Sequence, residues 1–383
     1  MRRSLFVLLF AAAACGGKQK STTPPPPLPE PTAQTKPVEP PKQEPKKEEA
    51  PPVPKGPVEL TLEAPKVTVK LVSAGKGKKA ALKHSSKAGD KQAVELTMDF
   101  TGKQTLPPEM GGAQEQISPT VVLLADVESK EVAADGATKF NMTINGVDAR
   151  DVPGAQKTSA DYKPALASLN GATIAGSVNS NGSFTDLTLH IEKPDQHTID
   201  AVGLFKLSLL PMWPVLPTEA IGAGAKWTVT TTTKVADRLE VTQTTDYQLV
   251  SKKGKAAVIK GTTKITGAEQ KIEDAQFGAI GGSGTTEATI NEGTLLPAAK
   301  QSMKTDFTAT AEPQPNQKVA IVFHLEQANA VQPKGEGAAA TPATPATPAT
   351  KTDKATPATP ATPAPKADTK ATPKTDAKPA KTP

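Results

Sequence analysis

The chain has four histidines, His84, His190, His197 and His324. His190-Ile191-Glu192 sets an imidazole and a carboxylate two residues apart, on one face of a strand. A zinc ion needs three or four such donors, and no third stands at a matching spacing, so a solvated strand pair is expected there. Gly281-Gly282-Ser283-Gly284 lacks the Gly-x-Ser-x-Gly spacing of a nucleophile elbow and reads as a flexible loop leading into a strand. Glu269 and Glu273 can stand close together, but nothing predicts one carboxyl kept protonated beside an ionised partner. Trp213 and Trp227 are candidates to line a sugar or lipid pocket, with burial in a core as the plainer reading. No phosphate loop, dinucleotide fingerprint, zinc-protease helix or calcium loop occurs. Catalysis needs a converging constellation, and none is legible, so the expectation is a non-enzyme with no cofactor and no metal.

The remaining reactive side chain is Cys15, the only cysteine among 383 residues. Before it stand Arg2 and Arg3, then the apolar stretch Leu5 to Ala14. That stretch is too short for a membrane helix, which needs about 20 residues, and it has the layout of an export leader. Ala12-Ala13-Ala14-Cys15 resembles a bacterial lipobox, with Ala12 where Leu is usual. The resemblance implies removal of residues 1–14 and acylation of the Cys15 thiol, which anchors the protein to a membrane. Ordinary secretory cleavage after Ala14 is the alternative. Gly16 after the cysteine points by the same resemblance to the outer membrane, and a single cysteine leaves no internal disulfide.

Of 38 prolines, 14 fall between Ser21 and Pro57 and 11 between Pro333 and Pro383. Segments so rich in Pro, Ala, Thr and Lys bury too little apolar surface to offset chain entropy. Both flanks are therefore expected to be disordered. Ser21 to Pro57, within the tether 15–57, reads as a spacer of roughly 100 Å reach at about 3.1 Å per residue. Residues 333–383 repeat Ala-Thr-Pro and end in spaced lysines, a passive tail or an arm contacting the cell wall or an envelope protein. Most of the basic excess sits in these flanks: the net charge is +6, yet the 275 residues between them carry 28 basic and 30 acidic groups. A nucleic-acid module needs its basic footprint on the folded domain, so nucleic acid is excluded as the main partner.

The middle alternates apolar and polar residues with period two, as half-buried strands do. Val58 to Leu62, Val67 to Leu71, Val94 to Met98, Phe140 to Ile144, Leu187 to Ile191, Trp227 to Val229 and Lys318 to Leu325 all follow it. Turn signals stand at Asp135-Gly136, Asn145-Gly146, Asn181-Gly182, Lys253-Gly254 and Glu292-Gly293. Asp161 to Leu169 predicts a short helix stopped by Asn170-Gly171, and Asp195 to Leu210 a longer one ended by Pro211.

An internal repeat runs through these elements. Gly89-Asp90-Lys91 is echoed by Gly224-Ala225-Lys226, Asp135-Gly136 by Lys253-Gly254, Asp161-Tyr162 by Asp274-Ala275, and Asn181-Gly182 by Glu292-Gly293. The expected fold is mainly β: two diverged antiparallel-sheet repeats with short helices, a half-barrel being one way to close them. The segments are a leader (1–14), an acylated tether (15–57), a first repeat (58–193), a helix and connector (194–217), a second repeat (218–332) and a tail (333–383).

The connector Pro214 to Trp227, with Gly222-x-Gly224-x-Lys226-Trp227 opening a strand and Tyr247-x-Leu249 in the next, resembles a family of uncharacterised β-rich bacterial lipoproteins. The resemblance spans about Lys79 to Glu312 and implies export and a β body, with no functional residue to carry over. The architecture is more loosely similar to the half-barrel of periplasmic lipoprotein carriers. Three readings follow: a non-catalytic, lipid-anchored envelope protein with a binding or structural β body, a lipid or lipoprotein carrier, and a cryptic hydrolase.

Overall fold

The computed structural model describes residues 56–194, 212–235, 239–272, 275–314 and 317–334. Cys15, His197, Glu273, the flanks up to residue 55 and from residue 335, and the helix expected over Asp195–Leu210 lie outside the described residues. The strands of the first half are β1 (Val58–Thr61), β2 (Lys66–Ser73), β3 (Lys76–Ala80), β4 (Lys91–Thr105), β5 (Ala113–Ile117), β6 (Thr120–Val132), β7 (Thr138–Arg150), β8 (Thr173–Val178) and β9 (Phe184–Ile191). Helix α1 (Ser159–Leu166) lies between β7 and β8. The second half has β10 (Ile221–Ala223), β11 (Lys226–Val235), β12 (Leu239–Lys253), β13 (Ala256–Gly267), β14 (Gln270–Ile272), β15 (Ala275–Phe277), β16 (Ile280–Asn291), β17 (Ala298–Gln314) and β18 (Gln317–Pro333).

One 16-stranded antiparallel sheet holds nearly all of them, in the order β1-β9-β8-β7-β6-β4-β18-β17-β16-β13-β12-β11-β2, while β3 and β10 form a separate pair. The repeat is explicit in that order. β4, β6, β7, β8 and β9 make one meander, and β11, β12, β13, β16 and β17 make its counterpart. Lys91 and Lys226 each open the first strand of a meander. The turns at Asp135-Gly136 and Lys253-Gly254, and those at Asn181-Gly182 and Glu292-Gly293, join equivalent strands. The third echo matches in place but not in kind. α1 fills the excursion between β7 and β8, whereas the β14–β15 hairpin fills the one between β13 and β16.

The two edges of the sheet are β1 and β2, consecutive in the chain. Leu62 N–H still donates to the Leu187 carbonyl beyond β1, and Lys66 already faces Thr232 on β11. Only Glu63, Ala64 and Pro65 separate the edges, so residues 62 and 66 lie within about 14 Å. Laid flat, the 13 strands on the path from β1 to β2 would hold the sheet's edges roughly 58 Å apart. The sheet must therefore curl into a ring. It is not a closed barrel, because no strand pairing joins β1 to β2 among the described residues. The covalent link completes the ring.

Alternation decides what the curl encloses. On β13, Ala257, Ile259, Thr263 and Ile265 are buried, while Lys260, Thr262, Lys264 and Thr266 are exposed. Charges pair along the outside, as in Lys260–Glu287 (3.1 Å), Lys304–Glu326 (2.9 Å) and Arg150–Glu95 (3.0 Å). Apolar inside and charged outside reverses the pattern of a membrane-spanning barrel, which shows lipid an apolar outer band. No helix among the described residues is long and apolar enough to cross a membrane.

Two sequence expectations are corrected here. Asn145-Gly146 is not a turn: β7 runs through it, and the shift in β6–β7 register between Leu124 and Ala125 marks a bulge. An extra residue inside a strand carries the same Asn-Gly signature as a hairpin. Gly281 to Gly284 is not a loop but lies within β16, and two of its glycines are there for want of space. A Cβ at Gly282 would overlap the Lys304 carbonyl, and one at Gly284 the Met303 sulfur and the Ser302 carbonyl. At Gly281 nothing lies within 4 Å of that position. Gly282→Ala is therefore expected to lower stability by about 1–3 kcal/mol, and Gly281→Ala to change it by less than about 0.5 kcal/mol, as read from urea midpoints. Equal effects would contradict the packing described.

Candidate functional site

Both tryptophans lie inside the ring, in unlike surroundings. Trp227 is fully buried; its indole N–H donates to the Val215 carbonyl at 2.9 Å, and its ring stacks on Tyr247 at 5.6 Å. The Tyr247 ring in turn lies over Gly261, where a Cβ would come within 2.7 Å of it. Burial pushes the Tyr247 phenol up to about 12, against a smaller opposing effect of its hydrogen bond with Thr245. Trp227 is a core residue with its one polar group satisfied.

Trp213 packs among Phe184 (4.9 Å, edge-on), Phe140 (5.9 Å) and His84 (6.2 Å). These centroid distances are those of rings in contact. His84 is buried and its Nε2–H donates to the Pro214 carbonyl at 2.9 Å, which leaves Nδ1 as a bare acceptor. His84 Nδ1 and Trp213 Nε1 have no hydrogen-bond partner among the described residues. Gly182 completes this corner: its φ is +92°, and a Cβ there would crowd the Pro214 carbonyl and the His84 ring.

Burial pushes His84 down to about 4, outweighing the Pro214 hydrogen bond, which acts the other way. The unfolded imidazole takes its proton near 6.5. Stability is therefore full above pH 6.5 and falls as the pH drops through the window to about 4, by up to about 3 kcal/mol. In a pH series of urea midpoints, His84→Leu should flatten this acid-side slope while lowering the pH 7 value. A slope that survives the substitution would assign it to other groups.

A band of uncharged polar side chains crosses the inner face. Tyr247, Gly261, Thr286, Gln301, Asn329 and Met98 stand opposite one another on β12, β13, β16, β17, β18 and β4. Asn329 Nδ2 donates to Gln301 Oε1 at 3.4 Å, and the Thr245 and Thr263 hydroxyls pair at 2.9 Å. Thr286 Oγ1, buried in the same band, lacks a partner among the described residues. Sequence reading missed this band, although it has a signal: hydroxyl and amide residues at the apolar phase of a period-two strand. His84 offered no such signal, because its burial comes from a segment 130 residues away.

The two surface histidines among the described residues sit between carboxylates. His324 Nδ1 pairs with Asp306, its Nε2 lies 3.1 Å from Glu326, and Glu326 also holds Lys304 at 2.9 Å. Both ring nitrogens of His324 thus stand on carboxylates. The hydrogen bond to Asp306, then that to Glu326, raises the His324 pKa. Its stabilisation is thus present at low pH and lost as pH rises through the raised value, opposite in sign to that of His84. His190 sits between Glu192 (3.2 Å) and Glu59 (3.6 Å) on the outer face. No group of three or more His, Cys, Asp or Glu able to hold a metal occurs among the described residues.

Comparison with known proteins adds a family and little else. Residues 204–295 match a family of unknown function (DUF6263). The Gly222–Trp227 motif falls in that stretch, and the structure explains its residues. A Cβ at Gly222 would overlap the Lys76 carbonyl where β10 meets β3, Gly224 has φ +72°, and Ala225 and Trp227 are fully buried. No curated protein matches the chain. Two crystal structures of Pseudomonas aeruginosa OccK2 (OpdF), the second in complex with glucuronate, align at 6% identity. They cover 65% and 64% of this chain and 100% of their own, with TM-scores of 0.20 and 0.16. Scores that low carry no argument about fold or function.

Proposed function

We propose that the protein is a non-catalytic lipoprotein of the bacterial cell envelope. Acyl chains on Cys15 hold it at the outer membrane, the Pro-rich tether carries the ring into the adjoining space, and the ring serves as a binding or structural body. The Lys/Pro tail is a second point of contact with the cell wall or an envelope protein. One observation carries this reading of the ring: its interior is filled by its own side chains. Leu123, Met142, Ile191, Leu216, Trp227 and Ile259 are each at most 1% exposed, so partners are met from outside, on a face of paired charges and threonines.

A second reading, a carrier of lipid or acylated protein, is favoured by one region. The cluster around Phe277, Phe307, Phe323 and Ile321 keeps 3–9% exposure throughout, the least sealed part of the apolar interior. Native mass spectrometry of the Cys15→Ser protein, purified from its own host's envelope, separates the two. The expected result is the mass of the bare chain. A retained acyl lipid, displaced by Phe323→Trp, would favour the carrier and contradict the filled ring.

A further inference from the structure

The ring has two closing staves, and they are built differently. β18 closes one side as an unbroken strand, hydrogen-bonded to β17 and to β4 along most of its length. The other closer is the stretch from Val58 to Ser73. It stands at the corresponding place, between the last strand of one meander (β9) and the first of the other (β11). Since β1 is antiparallel to β9 and β2 to β11, its two halves run where a single stave would. It is broken in the middle: β1 bonds only β9, β2 bonds only β11, and Glu63, Ala64 and Pro65 belong to neither strand. Pro65 has no N–H to give a ladder.

The halves are also unequal. β1 has four residues in register with β9 and offers the interior Val58 and Leu60, both half-buried, with buried Leu62 just past its end. β2 has eight residues and lays Val67, Val69 and Leu71 against the cluster around Trp227. The chain reaches β1 first from its N-terminal side. Any pull from that side therefore loads the shortest strand on the main path of the ring before it loads anything else.

We propose that β1 and the link Glu63–Pro65 form a latch, through which tension on the N-terminal segment opens the ring between β9 and β11. Release of β1 leaves β2 in place, frees the β9 edge, and uncovers the inner face where Leu189 and Ile191 stand opposite Leu60 and Val58. The link then extends as slack, so the remaining strands keep their pairing. This mechanism gives the tether of the proposed function a mechanical role, and it rests on that reading for its physiological meaning only.

The test is single-molecule pulling of the full chain through tags at its two ends, in a Cys15→Ser background so that acylation plays no part. Release of residues 58–65 should appear as a separate lengthening of about 2–3 nm before the main rupture. Thr61 and Thr188 face each other on β1 and β9, so a Thr61→Cys/Thr188→Cys disulfide should abolish that step, and reduction should restore it. Leu62→Ala, which removes only an interior side chain, should lower the force of the step without changing its length. A single rupture with no precursor, or a precursor indifferent to the disulfide, would overturn the latch. Neither result bears on the anchor, which the mass of Cys15 decides.

Discussion

Replacing Trp227 by alanine is expected to cost about 3–5 kcal/mol, the range for large buried aromatics cut to a methyl group. Three losses combine at this position. The indole fills the cluster shared by Tyr247, Leu249, Ile259 and Leu216. Its N–H satisfies the Val215 carbonyl, which anchors the connector to the ring. Its face supports the Tyr247 ring that lies over Gly261. Trp227→Phe keeps most of the stacking and loses the hydrogen bond, so its expected cost is about 1–2 kcal/mol. Urea midpoints of the two variants check the order. The chain has only two tryptophans, so in Trp227→Phe the remaining emission reports Trp213 alone. Equal midpoints for Ala and Phe would mean that the aromatic stack contributes nothing.

Deleting residues 58–65 is expected to do more than remove the burial of Leu60 and Leu62, worth about 2–4 kcal/mol together at ordinary values per side chain. It leaves β9 with a free row of backbone donors and acceptors beside exposed Leu189. Such an edge pairs with other chains. The deletion should therefore yield, by sedimentation, concentration-dependent oligomers larger than the parent's species, together with more dye binding to apolar surface than the parent shows. Deleting residues 21–55, which leaves the ring untouched, is the control and should change neither property. A monomeric deletion with an unaltered urea midpoint would remove β1 from the structure's working parts.

These effects depend on elements of unequal visibility in the sequence. The strands with strict alternation were legible, since a sheet with one face inside and one outside imposes period two on every strand. The repeat was legible too, because equivalent hairpins recur in order. What kind of element filled each excursion was not, as α1 against the β14–β15 hairpin shows: short segments take their form from the neighbours they cover. Gly282 and Gly284 of β16 misled because space, not flexibility, selects them, and space is set by Lys304 and Met303 on the next strand. The ring itself was invisible locally. It rests on β1 and β2 bonding to strands 130 and 160 residues away, a choice that no local pattern records. Trp213 and Trp227 were candidates on equal terms, and only the Val215 carbonyl and the His84 corner tell them apart.

The anchor is tested most directly by the intact mass of the mature protein extracted from its native membrane, with Cys15→Ser prepared in parallel. The expected mass is that of a chain beginning at Cys15 with acyl groups added, and the substitution should abolish the addition and release the protein from the membrane. An unmodified chain beginning at Cys15, equally soluble with and without the substitution, would contradict the anchored reading and leave a freely exported binding protein.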